Sequence, residues 1–203
     1  YGHLENRMQQ IGVETSGTRI AIAEDINPTP QWRGEHVKLY TDGSYYPVWN
    51  VAAWAVVDVL NNTKMSGGVL GAQTNNRAEL TAMIAALSLV AKRGIGKVTV
   101  YSDSSYVVSG ARGETRRLTN FDLWHILDER MQAARVQNSD IEWVRAHANN
   151  VGNCVADIIA KNEAQRIAQQ RVAYDPALDG WETDRVVRPA QPRRQQWIIA
   201  QWM

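Results

Sequence analysis

The sequence predicts an α/β fold, a mixed β-sheet covered by helices. Two observations carry that prediction. Five β-rich runs and a set of helix-period runs follow one another between residues 37 and 170, strands first, then helix, then strand–helix–strand–helix. Outside this zone the texture changes. Residues 1–36 are polar, with five acidic against three basic residues, and residues 171–203 hold Pro176, Pro189 and Pro192 with little periodicity. The chain therefore divides into an N-terminal extension, 1–35, a compact domain, 36–170, and a C-terminal tail, 171–203.

Each element has its own signal. In the extension, Thr18 to Ala23 alternates as a short strand does. Asn27-Pro28-Thr29-Pro30 reads as a linker, because proline fixes φ and turns the residue before it away from helix. In the domain, Val37 to Asp42 is a short strand ending in Asp42-Gly43-Ser44, a turn signature. Ala52 to Leu60 is an apolar strand. Asn61-Asn62 turns the chain, and Lys64 to Leu70 returns as its hairpin partner. From Asn76 the period changes. Leu80, Met83, Ile84, Leu87, Val90 and Ala91 recur at three and four, one face of an amphipathic helix that Gly94 and Gly96 end. Val98 to Tyr101 is a strand closing at Asp103, with a short helix from about Ser104. Asn120 caps a helix carrying Leu123, Trp124, Leu127 and Met131. Ile141 to Val144 is the last strand. Gly152 precedes a final helix with Val155, Ile158 and Ile159 inward.

Composition excludes some classes. Across 203 residues, 44% are hydrophobic and 21% charged, and no apolar run approaches the length of a membrane span. Tyr1 to Ile20 lack the apolar stretch of a secretory leader. Cys154 is the sole cysteine, so no internal disulfide forms. Together these predict an intracellular protein, cytoplasmic or nuclear, not secreted and without a membrane partner. The net charge is +1, so any nucleic-acid partner must be recognised by local patches.

Four carboxylates fall near element ends. Asp42 and Asp103 end strands, while Glu79 and Asp157 are expected in the first turns of helices. Ligand sites of open α/β sheets gather at strand ends, so four acids from four elements can converge. Such a cluster, with no cysteine ligand, suits a hard divalent cation that prefers oxygen donors. Without a cation the acids would repel and raise one another's pKa. Taken singly, each has a plainer reading: Asp42 as a turn former, Glu79 as a charge favouring the helix dipole, Asp103 as an N-cap, Asp157 as a solvated helix residue. Their joint pattern is what points to chemistry.

Five blocks in order resemble the ribonuclease H family, in its type 1 and retroelement reverse-transcriptase-associated branch. They are Tyr40-Thr41-Asp42-Gly43-Ser44, Thr74-Asn75-Asn76-Arg77-Ala78-Glu79-Leu80, Tyr101-Ser102-Asp103-Ser104-Ser105-Tyr106-Val107, Asn120-Phe121-Asp122-Leu123-Trp124, and Trp143-Val144-Arg145-Ala146-His147 with Gly152-Asn153 and Ala156-Asp157. The resemblance covers about residues 36–168. It implies an RNase H-like fold, α/β, with a five-stranded mixed sheet flanked by helices on both faces. It implies an endoribonuclease that cuts the RNA strand of RNA–DNA hybrids by two-metal-ion hydrolysis, with Mg²⁺ or Mn²⁺ as cofactor. Asp42, Glu79, Asp103 and Asp157 would hold the ions, and the products would be a 5′-phosphate and a 3′-hydroxyl. His147 would sit on a loop beside the site, aiding proton transfer or product departure.

Substrate choice by such an enzyme means reading the RNA 2′-hydroxyl. By resemblance, Asn75 and Asn76 reach into the minor groove, with Gly43, Ser44 and Ser105 near the strand that is cut. Helix capping is the plainer role of the two asparagines. Many relatives carry Gln where Ser105 stands, a residue implicated in base contact; serine is shorter, so the resemblance implies that this contact is lost here. Tyr106 and Trp124 stand where aromatics either back the site or pack the core. Cellular bacterial relatives insert a basic helix before the Asn120 block. Here only Gly110 to Thr119 fills that space, with Arg112, Arg116 and Arg117 against Glu114. Affinity would then come from elsewhere. One candidate source is the tail, where four arginines between Arg185 and Met203 accompany Trp197 and Trp202; docking of those tryptophans on the core, or a linker to a neighbouring domain, is the favoured reading of it. Another is a fused or associated reverse transcriptase. The rival readings are a non-catalytic hybrid-binding domain of the same fold, and an integrase-like DNA strand transferase using Glu142 as its third acid.

Overall fold

The structure, a computed structural model, describes residues 14–15, 18–19, 36–146 and 150–172. Two short strands, β1 (Glu14–Thr15) and β2 (Thr18–Arg19), pair antiparallel. The rest of the strand expected to Ala23, the linker at 27–30 and the tail beyond 172 lie outside the described residues.

The domain runs β3 (Val37–Tyr46), β4 (Val51–Asp58), β5 (Thr63–Gly68), α1 (Asn75–Arg93), β6 (Val98–Ser102), α2 (Ser105–Arg112), α3 (Phe121–Ala134), β7 (Ile141–Trp143) and α4 (Val151–Val172). Its five strands form one mixed sheet in the order β5-β4-β3-β6-β7. The first three are antiparallel neighbours; β3 with β6 and β6 with β7 are parallel. Every residue of β4 is buried. Its alternate residues Ala52, Trp54 and Val56 join the core under α1, while Val51 and Ala53 pack with Ala164 and Ala168 of α4. Successive side chains of a strand point to opposite faces, so α1 and α4 cover opposite faces of the sheet, as expected.

Three sequence expectations are corrected. First, β3 does not end at Asp42. It continues to Tyr46, with Asp42 opposite Ala55 and Gly43 opposite Trp54. Asp42-Gly43-Ser44 is therefore strand, not turn. Gly43 serves another need: a Cβ there would overlap the backbone of Ala78 and Glu79. Glycine in a strand often marks such a close approach of another backbone.

Second, α1 is not buried on one face only. All residues from Arg77 to Val90 are buried, because the helix lies between the sheet and α3. A helix buried all round must satisfy its polar side chains internally. Thr81 and Ser88 do so by donating to the carbonyls of Arg77 and Ile84, at 2.7 and 2.8 Å.

Third, the inward row of α4 is not Val155, Ile158 and Ile159. Ile158 is 55% exposed, whereas Ala156, Ala160, Ala164 and Ala168 are buried. The helix approaches β3 so closely that a Cβ on Gly152 would overlap the Tyr40 ring. Only small side chains fit that gap, and the large ones are displaced to the flanks and outer face.

Among the described residues, no helix is long and apolar enough to cross a membrane. A methyl group at Gly152 should loosen the seat of α4 on Tyr40. Gly152→Ala is expected to cost about 1–3 kcal/mol, the usual penalty of overpacking. Urea unfolding should show a lowered midpoint at unchanged slope; a midpoint equal to the parent's would contradict this close contact.

Candidate active site

Three elements bring three acids together. Asp42 stands in the middle of β3, Asp103 follows the last residue of the neighbouring β6, and Glu79 is on α1. One carboxylate oxygen from each lies within 4.8 Å of the other two. Asp42 and Glu79 are 4% and 5% exposed; Asp103 is half-buried. At an effective dielectric near 20, two full charges at this separation repel by on the order of 3 kcal/mol. Burial, reinforced by the charges of Asp103 and Asp157, pushes the Asp42 carboxyl up to about 8, against a weaker pull from Lys161. Burial and then the charges of Asp42 and Asp103 raise Glu79 well above its ordinary value, opposed by hydrogen bonds from the Gly43 backbone and the Asn75 side chain. Glu79 Oε2 is buried without a hydrogen-bond partner among the described residues.

The start of α1 is pinned so that Glu79 faces β3. Thr74 is its N-cap, its hydroxyl oxygen accepting from the Arg77 N–H at 3.2 Å. The capping role considered for Asn75 and Asn76 thus belongs to Thr74, and both asparagines are exposed beside the cluster. Arg77 grips Asp122 at the start of α3 through two bonds of 3.0 and 2.7 Å, and donates to Asn120 Oδ1 at 3.4 Å. Those bonds hold the Asp122 carboxyl below its ordinary value. Asn120 caps α3 by position only; its φ is +57° and its amide donates instead to the Tyr106 hydroxyl at 3.0 Å. Trp124, buried, donates to the same hydroxyl at 3.2 Å, and Tyr106 and Trp124 pack together against the core.

Asp103 does not cap α2. Ser104 does, accepting from the Val107 N–H at 3.3 Å. Two residues from distant parts of the chain hold Asp103 instead. Trp143 Nε1 donates to its carbonyl oxygen and Asn153 Nδ2 to its Oδ2, both at 2.9 Å.

Glu79 is the fifth residue of α1 and Asp157 the seventh of α4, both past the first turn. Asp157 is half-buried and outside the tight group of three, yet near enough for its charge to act on Asp42. It is paired with Lys161, one turn on, at 2.8 Å. Sequence reasoning assigned no role to Lys161, although an acid four residues before a lysine on a helix is a legible pair. Nor did it assign one to Asn153 or Trp143, since no spacing rule ties them to Asp103.

Ser44 is half-buried and Ser105 exposed, each beside a clustered acid in sequence. His147 lies outside the described residues. Glu142 is exposed on β7 and is not in the cluster. Two arginines of the α2–α3 region are engaged internally: Arg112 Nε donates to the Ile141 carbonyl at 2.8 Å, and Arg117 pairs with Asp128 at 2.6 Å over the Trp124 ring.

Comparison with known proteins agrees with this architecture. The RNase H family model matches residues 34–165, well over half of the chain. Ribonuclease H of Orientia tsutsugamushi is 35% identical over 160 residues, covering 70% of this chain and 92% of that protein. Ribonuclease HI of Haemophilus ducreyi is 31% identical, covering 70% and 98%. Among solved structures, the N-terminal RNase H domain of rv2228c from Mycobacterium tuberculosis superposes with a TM-score of 0.54 at 26% identity, covering 66% of this chain and 99% of that one. LC11-RNase H1 in complex with RNA/DNA hybrid shares the fold, with a TM-score of 0.50 at 22% identity over 64% of this chain and 98% of that chain. On the strength of a match that spans the whole five-stranded sheet and all four acids, the chain belongs to the ribonuclease H family of hydrolases.

Proposed function

We propose that the chain cleaves the RNA strand of RNA–DNA hybrids by two-metal-ion hydrolysis, leaving a 5′-phosphate and a 3′-hydroxyl. The observation that carries this reading is the close acidic triad of Asp42, Glu79 and Asp103, two of them buried, with Asp157 beside it. The donor set fits Mg²⁺ or Mn²⁺: all ligand atoms are hard oxygens, one of them is buried without a partner among the described residues, and the acids repel one another in the cation's absence. Asp42, Glu79, Asp103 and Asp157 would hold the ions. Bound there, two divalent cations supply an activated water, a charge sink at phosphorus and stabilisation of the leaving oxygen.

The chain's own residues orient the substrate. Asn75 and Asn76, exposed at the start of α1, offer amides to the 2′-hydroxyls of the minor groove. Gly43 and Ser44 on β3 and Ser105 at the start of α2 flank the strand that is cut. Asp157 must exchange its Lys161 partner for a cation, which makes it the most weakly committed of the four. His147 moves a proton or helps product leave. With Arg112 and Arg117 engaged internally, hybrid affinity is supplied in part by the arginine-bearing tail or by a fused or associated reverse transcriptase. An intracellular location accords with the single cysteine.

Labelled RNA–DNA hybrid should be cut in Mg²⁺ or Mn²⁺. Asp42→Asn and Asp103→Asn should each abolish cleavage, by 10³-fold or more on the order expected for loss of an essential electrostatic group, with unchanged circular dichroism. Activity retained in either variant removes that residue from the site. His147→Ala should slow turnover without abolishing it; a rate equal to the parent's across pH leaves the histidine no part.

Stability should report the buried charges directly. Asp42 is raised from 3.8 to about 8, so between those values the native state binds protons that the unfolded state has released. Stability without metal should therefore be highest below about pH 4 as far as this group is concerned, and fall as pH rises towards about 8. Asp42→Asn should flatten that slope. Added Mg²⁺ should raise Tm more at pH 8 than at pH 5, because the ion binds the ionised form. A thermal shift that is independent of pH would count against the cluster as a cation site.

A further inference from the structure

We infer that Asn153 is a positioning residue of the acidic site, holding Asp103 in the orientation a divalent ion requires. The inference rests on the two-ion reading above and adds a residue to it. Asn153 is 1% exposed in the first turn of α4. Its Nδ2 donates to Asp103 Oδ2 at 2.9 Å. A carboxylate only accepts, so this contact dictates which end of the amide faces Asp103. The backbone of Asn153 is held in turn, its N–H donating to Asn150 Oδ1 at 3.2 Å. Asp103 is thus gripped at its carbonyl by Trp143 and at its carboxylate by α4. The carboxylate cannot rotate without breaking a bond that is assisted by its charge.

A second feature points to a ligand. Asn153 Oδ1 is buried and has no hydrogen-bond partner among the described residues. A residue serving packing alone would not be expected to leave a buried acceptor without a donor, at a cost of about 1–3 kcal/mol. Divalent magnesium keeps several waters when it binds carboxylates, and such waters are donors of the class this oxygen accepts from. The same helix carries Asp157 one turn later, so seating α4 delivers one carboxylate and orients another.

Mg²⁺ titrated into the chain without nucleic acid, followed by calorimetry, tests this apart from catalysis. Asn153→Ala should raise the Mg²⁺ dissociation constant by about 10–100-fold, the usual effect of losing a group that orients a ligand. Asn153→Leu keeps the branched shape and the number of side-chain heavy atoms and should show the same loss; it replaces the alanine variant if that fails to fold. Ala164→Gly, buried lower on α4, controls for loosening of the helix and should leave the constant unchanged. Equal affinity in parent and Asn153 variants overturns the inference, as does an equal loss in Ala164→Gly. A parent that binds no Mg²⁺ overturns the two-ion reading instead.

Discussion

Like charges held close together in a nearly dry place are the constraint around which this domain is built. Three carboxylates with oxygens inside 4.8 Å do not assemble spontaneously. Burial and mutual repulsion both favour their protonated forms, which is why Asp42 and Glu79 are raised so far. The cluster persists because the scaffold is stiffer than the repulsion is strong. Asp42 is locked by backbone pairing to β4 on one side, and β3 is paired with β6 on the other. Glu79 is carried by a helix whose whole length from Arg77 to Val90 is buried.

Close approach of backbones is the means. At Gly43 the strand runs against Ala78 and Glu79 with no room for a methyl group, and at Gly152 helix α4 presses onto Tyr40 in the same way. Each contact removes a side chain to bring a carboxylate within reach: Glu79 in the first case, Asp157 in the second. A larger residue at either point would move an acid outward by about the radius of a carbon atom. That displacement exceeds the roughly 0.5 Å within which such a cluster must be held.

Polar support around the acids is as specific as the acids. The Arg77 grip on Asp122 ties the start of α1 to α3, two residues before Glu79. Asn153 and Trp143 tie Asp103 to the last helix and the last strand. Lys161 partners Asp157 and opposes the rise at Asp42. The four carboxylates therefore differ in standing. Two are buried and shifted, one is clamped by neutral donors, and one is paired with a cation.

Much was legible in the sequence itself. Period and composition are local properties, so the five strands, the long helix and their order could be read from runs such as Val98 to Tyr101 and Leu80 to Val90. The family motifs marked the acids. What remained was settled by contacts between residues far apart in sequence. Asp42-Gly43-Ser44 has the composition of a turn, yet pairing with β4 keeps it in the sheet, because ladder hydrogen bonds outweigh a local preference. Ile158 has the spacing of a core residue, yet faces outward, because the face of α4 against the sheet is taken by Ala156, Ala160, Ala164 and Ala168. The partners of Asp103 come from forty and fifty residues away. The sequence by itself determined which chemistry-bearing groups the molecule owns and which elements carry them. Only the tertiary structure decided which of those groups share a space and which polar atoms hold them, because distance through space is set by packing and not by position along the chain.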